Sequence, residues 1–132
     1  MRQAIRTTLL FAAGLLMAFA ALVNAIVAVP HLRVDLEEIN VRPTLLGAVL
    51  LGLHFGTVAM FAFACLVLVA AVQSLRAMVT ARLPLSMIAV IYGGFGVAAF
   101  LWSGSHHALG YVLIGVLILG AIAVREPETS LE

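Results

Sequence analysis

Four long apolar stretches, separated by short polar segments, dominate this sequence. They lie at about residues 8–29, 44–73, 85–102 and 108–124. A bilayer core of about 30 Å needs roughly 20 apolar residues in a helix, with a usual range of about 17–25, and each stretch meets that length. Because lipid offers the backbone no hydrogen-bond partner, such stretches must be helical. The sequence therefore predicts an all-α fold, a four-helix transmembrane bundle forming one domain, followed by a polar tail at 126–132.

The composition excludes several classes of protein. Hydrophobic residues make up 64% of the chain, charged residues 10%, and the mean hydropathy is +1.21. A soluble domain is typically about half apolar and about a quarter charged, so an ordinary soluble fold is excluded. Cys65 is the only cysteine, which excludes a disulfide scaffold. The net charge of +1 leaves no basic stripe that could bind nucleic acid.

The arginines predict how the bundle is oriented. Two groups fall on opposite sides of a four-pass arrangement: Arg2, Arg6, Arg76, Arg82 and Arg125 on one, Arg33 and Arg42 on the other. The arginine-rich side of a membrane protein is usually cytoplasmic. We therefore expect both termini in the cytoplasm, in a bacterial inner membrane. The loop 30–43 and the turn 103–107 would then face outward.

The two ends of the chain allow other interpretations. Arg2 and Arg6 precede an apolar run, and Val23-Asn24-Ala25 resembles a signal-peptidase site, whose cleavage would leave three helices. The final Leu131-Glu132 pair is consistent with a remnant of cloning, and it is given no functional role.

Small residues mark two candidate packing faces. Gly14, Ala18, Ala21 and Ala25 fall within one stripe of the first helix, where another helix could approach closely. In the second helix, Gly52 and Gly56 have the Gly-x-x-x-Gly spacing, which alone is a weak signal. If His54, on the opposite side, points inward, both glycines face outward. They would then contact a second copy of the chain or a partner subunit.

His54 is the main candidate for a polar group inside the bundle. Counted from Thr44 at about 1.5 Å per residue, it lies roughly 15 Å along the helix, near the midplane. Tyr92 and Thr57 lie within about one turn of that depth, and Asn24 lies nearer the outer surface. The simplest interpretation is a hydrogen bond from His54 to Tyr92 or Asn24 that joins helices. Ligand contact, for example with a quinone carbonyl, and proton relay are the functional alternatives.

Haem and metal sites have less support. Bis-histidine haem would need two histidines at one depth on facing helices, and His106 and His107 lie roughly 15 Å above His54 by this count. A haem held by His54 alone has no further support in the sequence. On the outer side, a few imidazoles and carboxylates could converge on a divalent ion, although no metal-binding motif is present. These residues are His31, Asp35, Glu37, Glu38, His106 and His107.

The sequence points to no catalytic residue. Our leading hypothesis is a small non-enzymatic subunit, or a lipid- or protein-binding module, that acts through its Gly- and Ala-rich helix faces. Its partners would be the bilayer and either a second copy or another membrane subunit. One alternative is a quinone- or haem-associated redox component that uses His54 and Tyr92. Another is a small oligomeric transporter with its path along the His54 face. The cofactor, if any, is unknown from sequence.

Overall fold

The computed structural model describes residues 1–124, and these form helices joined by short links with no β-strand among them. The helices are α1 (Arg2–Val23), a π-helical turn (Asn24–Ala28), α2 (Val29–Glu38), α3 (Pro43–Leu75), α4 (Arg82–Ser103) and α5 (Ala108–Ala123). Because α1, the π-turn and α2 are continuous, residues 1–124 form four helical rods. Three are long and apolar enough to span a membrane, and α5, with 16 residues, is shorter. The all-α, four-helix prediction is confirmed; the predicted tail at 126–132 lies outside the described residues.

The predicted outward loop at 30–43 is wrong, because helix continues to Glu38 and only residues 39–42 link it to α3. Pro30 lies inside this continuous rod, where its missing N–H leaves one carbonyl of the preceding turn without its backbone donor. The preceding π-turn, in which the Val29 N–H donates to the Asn24 carbonyl, adjusts the backbone just before the proline. One turn later, the solvent-exposed Arg33–Glu37 ion pair, at 2.8 Å, adds a small contribution to the stability of the helix.

Three of the described helices end at left-handed residues; after α4 the residue is Gly104, and the other two are not glycines. After α2, Asn40 has φ 54° and the Val41 N–H donates to the Leu36 carbonyl. After α3, Ala77 has φ 56° and the Met78 N–H donates to the Gln73 carbonyl. Both are Schellman-type ends, which satisfy carbonyls that a helix terminus leaves free. The links between rods are short for this reason.

The rods pack in the spatial order α3, α1, α5, α4. Helix α1 lies along α3 and against α5, and α4 lies along α5, whereas α3 and α4 make no comparable contact. The buried core runs through the four rods and is rich in alanine: Leu10, Ala13, Met17, Ala64, Val67, Ala71, Ile88, Ala89, Tyr92, Ile114, Ile118 and Ala121. The bundle is therefore open on the side between α3 and α4.

Glycines set the closest helix approaches. A Cβ on Gly96 of α4 would lie 2.7 Å from the Val112 backbone nitrogen, and one on Gly115 of α5 would lie 2.8 Å from the Ala89 carbonyl oxygen. A Cβ on Gly14 of α1 would lie 2.7 Å from the Leu68 side chain of α3. In lipid, where helices gain little from hydrophobic burial, such close packing is a main source of association.

A polar cluster joins α1 to the end of α3 and to the link before α4. The Thr7 and Ser74 hydroxyls are 2.9 Å apart, and Gln3 Nε2 donates to the Ser74 carbonyl at 2.8 Å. The Arg6 guanidinium, only 4% exposed, donates to the Thr80 hydroxyl. These contacts fix the register of α1 against α3 at the end opposite the π-turn.

The α4–α5 contact predicts a difference between two glycines of α4. Gly96→Ala should lower the free energy of unfolding in mixed micelles by about 1–3 kcal/mol, because the new Cβ overlaps backbone of α5. Gly94→Ala is the control, since a Cβ at this exposed glycine meets nothing within 4 Å. Equal losses in the two variants would contradict this account of the packing.

Candidate functional site

An apolar groove of about 320 Å³ occupies the open side between α3 and α4. Its two walls are α3 and α4, and the π-turn and α5 contribute one residue each. The lining residues are Asn24, Gly52, Leu53, Gly56, Ala59, Met60, Phe63, Ile91, Tyr92, Phe95 and Tyr111. The volume lies at the low end of the range for small-molecule sites, which is about 300–1,000 Å³. None of the lining residues is charged, so the groove suits a neutral occupant.

Four aromatic rings form the deeper part of the groove. Phe63 of α3 meets Tyr92 of α4 edge-on, with ring centroids 6.5 Å apart. Tyr111 of α5 lies 6.0 Å from Tyr92 and 5.3 Å from Phe95, again between ring centroids. These distances are typical of favourable aromatic pairs. The cluster is the one place where α3 is tied to α4 by aromatic packing within the described residues.

Tyr92 carries the unusual group in this cluster. Its side chain is 4% exposed, and its hydroxyl has no hydrogen-bond partner among the described residues. An enclosed hydroxyl without a partner costs about 1–3 kcal/mol. Buried tyrosines usually place this group against a partner. The Tyr92 hydroxyl is therefore a donor left available beside an apolar groove.

A hydrogen-bonded pair of polar side chains lies at the other end of the groove. Asn24 Nδ2 donates to the Thr57 hydroxyl at 2.6 Å, and Thr57 donates in turn to the Leu53 carbonyl at 2.9 Å. Asn24 begins the π-turn, and Thr57 is buried on α3. Thr57 is six residues from Phe63, so this pair lies about 9 Å along α3 from the aromatic cluster. The groove thus has polar groups at two heights and apolar walls between them.

Asn24 also borders a second groove, of about 600 Å³, on the other side of the π-turn. That groove lies between α1 and the start of α5, and its other polar lining residues are His107 and Tyr111. Of these two lining residues, His107 is exposed and Tyr111 is partly exposed. It encloses no buried polar group that lacks a partner, so its features give less indication of a ligand.

The expectation that His54 lies inside the bundle is wrong. His54 is exposed on α3, it does not line the α3–α4 groove, and it makes no hydrogen bond to Tyr92 or Asn24. The depth estimate assumes that α3 enters the bilayer core at Thr44, whereas α3 has 33 residues, about 50 Å, and is longer than such a core. Instead, Thr57 is the residue of α3 that meets Asn24, and Tyr92 packs against Phe63.

The faces of α3 are consequently reversed from the expectation. Gly52 and Gly56 line the groove, and a Cβ on either would meet nothing within 4 Å. On α1, Gly14 and Ala21 are buried, while Ala18 and Ala25 are half-buried. The α1 stripe thus packs within the chain at Gly14, and the glycines of α3 provide space in the groove.

The expected metal-binding residues are not brought together. Within residues 1–124, no three His, Cys, Asp or Glu side chains are placed to share a metal ion. The reason is the continuous helix: Glu37 and Glu38 stand about 20 Å along the helix axis from Asn24, whereas His107 borders the same groove as Asn24. His31 and His106 are likewise exposed and are not part of any such group.

Sequence reasoning missed most of the aromatic cluster. Phe63, Phe95 and Tyr111 belong to stretches that are apolar on every side, so no periodicity indicated which face they occupy. The available signal for the cluster is the pair of tyrosines, Tyr92 and Tyr111, because polar groups within membrane helices are rare and often functional.

Comparison with known proteins gives no further guidance. The chain matches no family model, and neither the curated proteins nor the solved structures searched include a match. Functional inference therefore depends on the groove and its residues.

The Asn24–Thr57 bond predicts measurable coupling. In a double-mutant cycle with Asn24→Ala and Thr57→Val, the interaction free energy should be about 0.6 kcal/mol, and at most about 1.7, as for interhelical hydrogen bonds in membranes. Unfolding in mixed micelles is the measurement. Asn24→Ala combined with Thr7→Val, at the far end of α1, is the control and should show no coupling. A first cycle that also gives zero would contradict the bond.

Proposed function

We propose that this protein is a non-enzymatic integral membrane protein that binds an apolar guest in the groove between α3 and α4. The observation that carries the proposal is the groove itself, which is uncharged, lined with aromatic rings and bordered by the unpartnered Tyr92 hydroxyl. Largely apolar clefts with a few placed polar groups are the usual form of small-molecule sites.

The spacing of polar residues supports a membrane location. Arg82 and Trp102 on α4 are 20 residues apart, which is about 30 Å of helix and equals the thickness of a bilayer core. Tyr92 is midway between them and contacts Phe63, and ten residues on either side of Phe63 lead to Leu53 and Gln73. Trp102 is 95% exposed, as expected of an aromatic residue at a membrane interface.

The outer surface of the rods supports the same location. Large apolar side chains face away from the core on each of the four rods, among them Leu15, Phe19, Val58, Leu66, Val90, Leu113 and Val116. A soluble monomer rarely exposes such a continuous apolar surface, and lipid is the solvent that accepts it.

This placement puts the groove in one leaflet. The Tyr92–Phe63 contact would lie near the midplane, and the Asn24–Thr57 pair about 9 Å toward the end that carries α2. His54 would lie near the interface, where an exposed imidazole meets water and headgroups. By the arginine distribution, the opposite end, with Arg2, Arg6, Arg76 and Arg82, is cytoplasmic. The guest would therefore enter from the outer leaflet.

Topology provides one test of the proposal. A cytoplasmic C-terminus predicts that a fluorescent reporter fused there is bright and that alkaline phosphatase fused there is inactive. The reverse pattern would overturn the orientation and move the proposed entry of the guest to the inner leaflet.

Binding provides the other test, with two matched glycines of α3. Gly56→Leu should fill the groove and lower binding of a brominated or photoreactive acyl-chain probe at least tenfold, because its Cβ points into free space that the guest would use. Gly47→Leu is the control, since this exposed glycine also has nothing within 4 Å of a Cβ but does not line the groove. Both variants should fold.

Binding would be measured by the quenching of protein fluorescence by the brominated probe, or by native mass spectrometry in micelles. The same mass spectra report the number of chains, which tests the expectation of self-association independently. Equal probe binding by Gly56→Leu and Gly47→Leu would contradict the groove as the site.

A further inference from the structure

The chemistry of the groove identifies a class of guest. Building on the proposed function, we infer that the guest is a neutral, chain-bearing carbonyl compound whose carbonyl oxygen accepts a hydrogen bond from the Tyr92 hydroxyl. Isoprenoid quinones and the ester groups of glycerolipids share this chemistry, and the experiment below separates the two.

The first step is the donor. The Tyr92 hydroxyl is enclosed and has no partner among the described residues, while the tyrosine lines the groove. A partner from outside the chain would remove the cost of leaving this group unsatisfied. The hydroxyl is enclosed, so the inference requires the half-buried Phe63 ring, which packs edge-on against Tyr92, to move aside when the guest's carbonyl binds.

The second step is the charge of the guest. No charged side chain lines the groove, so a carboxylate or phosphate at the depth of Tyr92 would be desolvated without compensation. The part of the guest that reaches Tyr92 is therefore neutral. Charged headgroups, if the guest has one, belong beyond Asn24 at the outer end.

The third step is the acceptor. At its inner end the groove presents a hydroxyl and aromatic rings, and the Tyr111 ring stands beside both Tyr92 and Phe95. A carbonyl needs a donor and brings no donor of its own, so one tyrosine hydroxyl satisfies it. An alcohol would bring a further hydrogen, for which the tyrosine hydroxyls are the acceptors among these aromatic residues, whereas a carbonyl needs only the Tyr92 donor. Planar carbonyl groups also pack well against the ring cluster.

The experiment compares paired probes that share the same alkyl chain or headgroup, with carbonyl groups in only one member of each pair. Protein in micelles is titrated with decylbenzoquinone and with decylbenzene, and separately with ester-linked and ether-linked phosphatidylcholine, and dissociation constants are taken from the shift in unfolding temperature. The wild type should bind the carbonyl member of one pair about three- to tenfold more tightly, as expected for one added hydrogen bond. The pair that shows the preference identifies the source of the carbonyl.

Tyr92→Phe is the decisive variant. It removes the hydroxyl without breaking any hydrogen bond within the described residues, so it should fold at least as stably as the wild type when no probe is present. It should also bind both members of each pair equally. His54→Ala, which is outside the groove, is the control and should keep the full preference.

Two results would overturn the inference. One is a wild type that binds the paired probes equally, and the other is a Tyr92→Phe protein that keeps the preference. In either case, loss of decylbenzene binding in Gly56→Leu would still support the groove as a site. Failure of the inference and failure of the proposed function are therefore distinguishable.

Discussion

Close backbone contact between paired helices is the constraint on which this structure depends. Gly96 and Gly115 allow α4 and α5 to touch through their backbones, and Gly14 allows α1 to receive Leu68 of α3. Through these contacts α4 packs along α5, and α3 packs along α1. The contact between α1 and α5 then joins the two pairs. The remaining side, between α3 and α4, is closed by aromatic rings only at one height. The groove is therefore a consequence of where the glycines bring backbones together.

Hydropathy predicts the helices well, because an apolar run long enough to cross a bilayer is expected to be helical whatever its neighbours are. The structure places the second rod at Pro43–Leu75 and the third at Arg82–Ser103, close to the predicted 44–73 and 85–102. The loop at 30–43 was mispredicted because its charges suggested exposure to water, and an exposed charged segment can equally be helix. Pro30 also favours a break, since a proline inside a helix removes a backbone hydrogen bond, but in the structure the π-turn precedes it and the helix continues.

The site was harder to predict than the fold. Helix α3 is apolar on all sides, so its sequence does not show which face is inside, and His54 does not mark that face. A histidine is a poor marker of the interior when the helix is longer than the bilayer, because either end then reaches water. The structure buries Thr57 and Tyr92 and half-buries Asn24. Their true partners, Asn24 with Thr57 and Tyr92 with Phe63, depended on helix rotation.

The continuity of α1, the π-turn and α2 has a consequence for anything that approaches from the α2 end. Arg2–Glu38 is a helix of 37 residues, so about 20 Å of it extends past Asn24 alongside the start of α3. The link between these two rods, residues 39–42, is only a tight reversal. An approaching molecule would meet a preformed helix and not a flexible loop. Recognition there would require little ordering of the backbone, so its entropic penalty would be small.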